Sequence, residues 1–413
     1  MKQLRAILSP LAIAAVLVFS QPLTAQNIDD NGPHVVGWRD VHFTDSNYGR
    51  GQVDGRIYYP ATSAGENTSA DASTGPFPLV SFMHGWTQEA NEYDDYCTHL
   101  ASWGFVVMSN NTETGVLFVS MLAEALDTRA LMQWVEDESQ TSASWLADMV
   151  DYGDWGTCGH SMGGGATSYL VKHESRVRAV VMFEPYLGPL LGNTRKGFNS
   201  FDEYTGSVMV IGSSLDLTNN WSLIVRPWYE QAVAAQRRSW ALVQGGDHFG
   251  STDWAGTNGT LSGSEQHRMH RRFGTGFLRA EMLGEESTYY DLLGAGASNN
   301  PIDSEAAGTK PPLWLLNDPH DPAAITFGSS GDANMQLRFA AALAPGTLQT
   351  PWGIAGLDAA TFQLVHDEWI GSNGVVESSV TPPGSLSGTT LYFQCLLSNG
   401  SFGEFSRVAA LDY

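Results

Sequence analysis

Six short apolar runs separated by longer amphipathic stretches constrain this chain more than any other feature. "LVSFM", "GFVVMS", "WGTCG", "AVVMF", "SVMVIG" and "WALVQ" each have the length of a buried strand. Between them lie stretches such as "SMLAEALDTRALMQWVEDES" and "VRPWYEQAVAAQ", whose apolar residues recur every three to four positions, the period of a helix. Strands that are apolar on both faces and alternate with helices require a sheet covered on both sides, so the reading is an α/β fold with a mostly parallel sheet flanked by helices. "RIYYP" reads as an earlier strand, "GENTSADASTGPFP" as a polar loop and "HRMHRRFGTGFLRAEML" as the last helix of this part. The rhythm stops near residue 300, where "GAGASNNPIDSEAAGTKPP" reads as a linker. Beyond it, "LWLL", "MQLRFAAAL" and "TTLYFQCLL" read as short strands separated by "PGT", "SNG" and "PPGS" turns, which predicts a C-terminal β-sandwich-like domain. The expected organisation is a catalytic domain over 26–298, a linker over 299–312 and a β-rich accessory domain over 313–413.

The first 25 residues are set apart. Lys2 and Arg5 precede an apolar run from Ile7 to Phe19, and Leu23-Thr24-Ala25 supplies a small-residue site before Gln26, the pattern of a secretory signal peptide cleaved after Ala25. The mature protein is therefore expected outside the cytoplasm, secreted or periplasmic, as a monomer without membrane insertion. Against 44 Asp+Glu stand 21 Lys+Arg, a formal charge of -23 with no basic cluster to track phosphates, which argues against nucleic acid and anionic membrane surfaces as partners. Three cysteines, Cys97, Cys158 and Cys395, are too few for a disulfide scaffold, and Cys158 in an apolar run reads as a small buried filler. No Cys/His spacing resembles a zinc site, and no metal or cofactor is expected.

One of the strand-to-helix junctions carries chemistry. Residues 157–166, "TCGHSMGGGA", put Ser161 between glycines at the point where a predicted strand becomes a predicted helix. That is the context of a nucleophile elbow, in which a side chain at either flanking glycine would collide with the neighbouring strand or helix. A serine hydroxyl needs a base to take its proton and an acid to orient that base. In a parallel sheet both come from loops at the carboxyl ends of later strands. Asp216 follows "SVMVIGSSL" and His248 follows "WALVQGGD", in the chain order Ser, Asp, His that such elbows use. Asp247 competes for the acid role, but as the immediate neighbour of His248 its side chain would point away from the imidazole. The loop "MHGWTQ" offers backbone donors for an oxyanion, with Gly85 permitting close approach and the N–H groups of Trp86 and Met162 as the expected pair. His84 precedes that glycine and reads as a brace for the loop.

Taken in order and spacing, "HGWTQEAN", "HLASWGFVVMSNNT", "GHSMGGGAT", "VMVIGSSLDLTNN" and "GGDHFG" resemble the bacterial cutinases and polyester hydrolases of the α/β-hydrolase superfamily, which include poly(ethylene terephthalate) hydrolases. The resemblance spans roughly residues 35–295, and dienelactone hydrolases and platelet-activating-factor acetylhydrolase-like lipases share parts of the pattern. It implies an α/β-hydrolase fold, Ser161, Asp216 and His248 as the triad, Trp86 and Met162 at the oxyanion hole, and Gly85, Trp86, Thr87 and Tyr186 along the substrate. The family often has Gly-Tyr-Thr where this chain has Gly85-Trp86-Thr87, and Pro-Trp where it has Pro185-Tyr186. A planar ester could stack between Trp86 and Tyr186, each contact worth about 0.5–1.5 kcal/mol beyond burial. The family's disulfide near the end of the catalytic domain has no counterpart, because no cysteine occurs between Cys158 and Cys395.

The resulting expectation is a secreted serine carboxylic ester hydrolase of cutinase or polyester hydrolase type, acting on polyester or bulky esters through an acyl-enzyme. Its activity should rise with pH as the imidazole of His248 becomes neutral. Two alternatives stand beside it: an esterase or lipase-like hydrolase of small soluble esters or lactones, and an inactive hydrolase-fold protein that binds a surface.

Overall fold

The computed structural model describes residues 27–188, 194–254, 258–318 and 320–413; the expected signal peptide lies outside the described residues. Ten strands form the main sheet: β1 (Val36–Asp45), β2 (Gly51–Pro60), β3 (Gly65–Glu66), β4 (Phe77–Met83), β5 (Val106–Asn110), β6 (Val150–His160), β7 (Val177–Phe183), β8 (Ser207–Ser213), β9 (Arg237–Val243) and β10 (Ile302–Ala307). Their spatial order is β10-β9-β8-β7-β6-β4-β5-β2-β1-β3. From β5 through β4, β6, β7 and β8 to β9 every pairing is parallel. The antiparallel pairings β1 with β2, β2 with β5 and β9 with β10 lie on the two flanks. The fold is thus α/β with a mostly parallel sheet.

Strand periodicity divides the core in two. In β4, Leu79 and Met83 join one apolar cluster while Val80 and Phe82 join the other; in β7, Val180 and Met182 oppose Ala179, Val181 and Phe183 in the same way. Such alternation sends successive side chains to opposite faces, and both faces here are apolar because both are covered. Among the helices placed by this arrangement are α1 (Asp94–Ser102), α2 (Met121–Ser139), α3 (Met162–His173), α4 (Thr194–Asn199), α5 (Arg226–Gln231) and α6 (Gly263–Met282). Helices α2, α3 and α5 pack on the first face, and α1 and α6 on the second. Ser120 caps α2, its Oγ accepting the Ala123 N–H at 3.4 Å, and Ser262 caps α6 in the same way from Glu265 N–H at 3.2 Å.

Two expectations need correction. The helix expected over "VRPWYEQAVAAQ" ends at Gln231, and Ala232 leaves the helical region with ψ 47°. The segment 299–312, expected as a linker, contains β10, which pairs along its whole length with β9. An edge strand needs backbone partners more than an apolar face, so "IDSEAA" carries too little hydrophobic pattern to announce itself.

The remaining strands follow: β11 (Trp314–Asn317), β12 (Ile325–Ser330), β13 (Gln336–Ala342), β14 (Pro345–Thr350), β15 (Gly353–Leu357), β16 (Gln363–Trp369), β17 (Val375–Val380), β18 (Thr390–Ser398), β19 (Gly403–Phe405) and β20 (Ala409–Asp412). One sheet runs β11-β12-β17, a second runs β16-β13-β18-β19 with β20 also on β18, and β14 pairs β15. Phe327 of β12, Phe339 of β13 and Phe393 of β18 meet in an apolar cluster shared by the two larger sheets. All three cysteines are buried free thiols.

Buried charge joins this β-rich part to the main sheet. Arg237, at the start of β9, donates to Glu281 of α6 at 2.9 Å and to Glu286 at 2.7 Å, and its Nε donates to the Lys310 carbonyl at 3.0 Å. Glu286 in turn accepts the Leu313 N–H at 2.9 Å. Removing one member of such a group strands the others without partners, at a cost of about 3–5 kcal/mol. Arg237→Met is therefore expected to lower unfolding free energy by that amount in urea titration; a variant as stable as the parent would show that the network contributes nothing net.

Candidate active site

Ser161 occupies the junction of β6 and α3 with φ 52° and ψ -111°, a backbone conformation that costs about 1–3 kcal/mol for a residue with a side chain. The surroundings hold it there. Its N–H donates to the Phe183 carbonyl at 2.9 Å, and its own carbonyl accepts the Tyr186 N–H at 2.8 Å. A Cβ at Gly159 would overlap the backbone of Gly163, and a Cβ at Gly163 would overlap the Met83 carbonyl at the end of β4. The two glycines flanking the serine are therefore required by the closeness of β4, β6 and α3.

Two later loops reach the hydroxyl. His248 Nε2 lies 3.0 Å from Ser161 Oγ, and His248 Nδ1 lies 2.8 Å from Asp216 Oδ2. All three residues are buried, Ser161 at 8% exposure being the most accessible of them. The other carboxylate oxygen of Asp216 accepts the N–H groups of Thr218 at 2.8 Å and Asn219 at 2.7 Å, which orients the acid toward the imidazole. Asp247 does something else: it accepts the N–H groups of Phe249, Asn258 and Gly259 and so shapes the loop that carries His248.

The donors expected for an oxyanion lie on two elements. Met162 is the first residue of α3 and fully buried, and Trp86 follows Gly85 in the loop after β4. Among the described residues, no hydrogen bond engages the backbone N–H of either. Thr87, also expected along the substrate, is exposed and has φ 64°. His84 is wedged between the carbonyl oxygens of Gly85 at 2.8 Å and Thr112 at 2.7 Å, behind this loop. Trp86 is 45% exposed, with its indole N–H on the Val116 carbonyl at 3.2 Å, and Tyr186 is half-buried beside the serine backbone.

Sequence reading missed the scaffold that joins these loops. His160 donates from Nε2 to the His248 carbonyl at 2.7 Å. Its Nδ1 lies 2.8 Å from the Tyr93 hydroxyl, which also accepts the Gly85 N–H at 2.9 Å. Burial, reinforced by the neighbouring His248, holds the His160 imidazole well below its ordinary pKa, so the ring is neutral, with one nitrogen donating and the other accepting. The sequence signal was available in the histidine directly before the serine. Several exposed apolar residues were missed as well: Val116, whose carbonyl accepts the Trp86 indole N–H, with Leu117 and Phe118 after it, Leu217 next to Asp216, and Trp254 packed on Phe249 at 4.4 Å. Among the described residues, no group of three or more His, Cys, Asp or Glu could hold a metal ion, and no helix is long and apolar enough to cross a membrane.

Comparison with known proteins adds to this geometry. A sequence model of the family described as PET hydrolase-like matches residues 20–271, more than half of the chain. Lipase 1 of Moraxella sp. (strain TA144) is 24% identical over 220 residues, which cover 53% of this chain and 60% of that protein. Bis(hydroxyethyl) terephthalate hydrolase of Streptomyces coelicolor is 26% identical over 195 residues, covering 47% of this chain and 55% of that protein. Cutinase 1 of Thermobifida cellulosilytica is 26% identical over 195 residues, covering 47% and 65%. The chain thus spans between 55% and 65% of the length of these relatives.

The packing around the elbow makes a direct prediction. Gly163→Ala forces the Met83 and His84 carbonyls apart and is expected to cost about 1–3 kcal/mol of stability in urea titration. An alanine variant of unchanged stability would mean that β4 and α3 are not in close contact.

Proposed function

Because the chain belongs to the PET hydrolase-like family, we propose that it is a secreted serine carboxylic ester hydrolase that cleaves polyesters or other bulky esters through an acyl-enzyme. The observation that carries this reading is the run of contacts from Asp216 through His248 to Ser161, at 2.8 and 3.0 Å. In the first half-reaction His248 takes the Ser161 proton as Oγ attacks the ester carbonyl, and Asp216 stabilises the imidazolium. The carbonyl oxygen, now negative, is received by the N–H groups of Trp86 and Met162. Collapse of the tetrahedral intermediate breaks the bond to the alcohol, which leaves with the proton from His248. Water then repeats the sequence on the acyl-enzyme, releasing the acid and restoring the serine.

The preference for a bulky apolar ester rests on the exposed side chains around the site. Trp86, Leu117, Phe118, Leu217 and Trp254 are exposed apolar residues on loops at or next to those that carry the triad, and apolar surface of this kind suits an insoluble substrate. Trp86 and Tyr186 are the proposed walls for an aromatic acyl unit. The names of the relatives, which include a lipase, a terephthalate ester hydrolase and a cutinase, agree with this substrate class. Pairing of β10 with β9 extends the proposed catalytic domain through Ala307. The strands beyond it are read as a β-sandwich-like accessory domain that increases contact with solid substrate.

Product release from an aromatic polyester film, measured by chromatography beside turnover of a soluble butyrate ester, tests the function. Both activities are expected in the mature protein, and both are expected to fall at least a thousandfold in Ser161→Ala. Turnover of the soluble ester alone would reassign the protein to small esters. Absence of both would reject the enzyme.

A further inference from the structure

Beneath the triad lies a second pair of titratable side chains that takes no part in the proposed proton transfers. Glu184 and His270 are both fully buried. His270 Nδ1 lies 2.7 Å from the Gln266 carbonyl oxygen, and Nε2 lies 2.9 Å from Glu184 Oε1. With Glu184 ionised both neighbours are acceptors, and in that state both ring nitrogens donate and the ring is an imidazolium facing the carboxylate. Burial alone would strip that proton. The Glu184 charge and hydrogen bond, the Gln266 carbonyl and the charge of Asp247 outweigh it and raise the pKa above its ordinary value. The other titratable ring coupled to His270 is His160 at the end of β6, which is neutral.

Glu184 stands where the nucleophile and the acid meet. It is the first residue past β7, held at φ 41°, in the left-handed region. Oε1 also accepts the Ser213 hydroxyl at 2.7 Å, and the Glu184 carbonyl accepts the Asn219 side-chain amide at 2.7 Å. Ser213 and Asn219 bracket the acid: the Ser213 carbonyl accepts the Asp216 N–H at 3.1 Å, and the Asn219 N–H donates to Asp216 Oδ1 at 2.7 Å. On the other side, the residue before Glu184 and the second residue after it bond the serine, Phe183 through its carbonyl and Tyr186 through its N–H. The turn that presents Asp216 is therefore tied at both ends to one buried carboxylate residue, whose side chain is fixed by His270 of α6.

We propose that Glu184 and His270 are positioning residues for ester cleavage, a buried ion pair that holds the Asp216 turn in register with His248 and releases it when His270 loses its proton. The proposal rests on the reading of Ser161, His248 and Asp216 as the catalytic triad. Its sign follows from the raised pKa: the pair is intact below the folded pKa of His270 and is lost as pH rises through it. Turnover should then decline on the alkaline side.

The test is kcat and KM for a soluble butyrate ester from pH 6 to 10 in the full mature chain and in Glu184→Gln, Glu184→Asp and His270→Gln. Glu184→Gln is expected to lower kcat at least tenfold with KM changed less than twofold, and Glu184→Asp to recover part of the loss. His270→Gln, which has no proton to lose, is expected to show a lowered kcat without the alkaline decline of the parent. In parallel, nitrogen NMR of the imidazoles in the parent protein, which needs no variant to fold, is expected to show His270 doubly protonated at pH 6, the acidic end of this range. A singly protonated ring at that pH, or variants whose kcat and alkaline limb match the parent, would overturn the proposal. Parent turnover that survives Ser161→Ala would instead overturn the serine mechanism beneath it.

Discussion

The backbone of Ser161 is the constraint on which the rest of the site depends. A residue with a side chain is held at φ 52° because β6 must end and α3 must begin within one step, and only this turn lifts the hydroxyl clear of the sheet. The strain is maintained by parallel strands on both sides, β4 and β7, whose ends bond the turn and crowd its glycines. Long-range sheet pairing thus supplies the energy for a local conformation that no peptide of this sequence would adopt alone.

Once the hydroxyl is raised, the remaining groups need only be held near it, and the structure does this with buried polar contacts between loops. His160 ties the histidine loop to the elbow, Tyr93 ties both to the Gly85 loop, and Glu184 ties the acid turn to β7. Each of these side chains is nearly or wholly excluded from water, where a lost partner costs the full desolvation of the group left behind. Such contacts are stiff for that reason, and stiffness is what a pre-arranged proton path requires.

Most of the sheet was legible because its strands are short apolar runs with residues directed to both faces, as in β4, β7 and β8. That Ser161, Asp216 and His248 meet was legible because each follows such a run at the same end of the sheet. What escaped notice shares a different physical character. The edge strand β10 is stabilised by backbone hydrogen bonds and leaves little trace in side-chain pattern. Helix α5 ends at Gln231 although the alanines that follow favour a helix, and Ala232 and Ala235 are buried in the core outside it. Glu184 and His270 lie 86 positions apart, and nothing local to either reveals that they meet. The one available hint was a carboxylate straight after the apolar run "AVVMF". The exposed loop at Val116 to Phe118 resembles a core segment in composition, and only the fold turns it outward.

The central claim is that Ser161 is a nucleophile activated by His248, and covalent labelling tests it most directly. The full-length protein would be treated with a serine-directed fluorophosphonate and analysed by peptide mass spectrometry, with His248→Ala as the comparison. The account predicts a single adduct on the peptide containing Ser161 and its loss in the histidine variant. An unlabelled Ser161, a label on another residue, or equal labelling without His248 would contradict it.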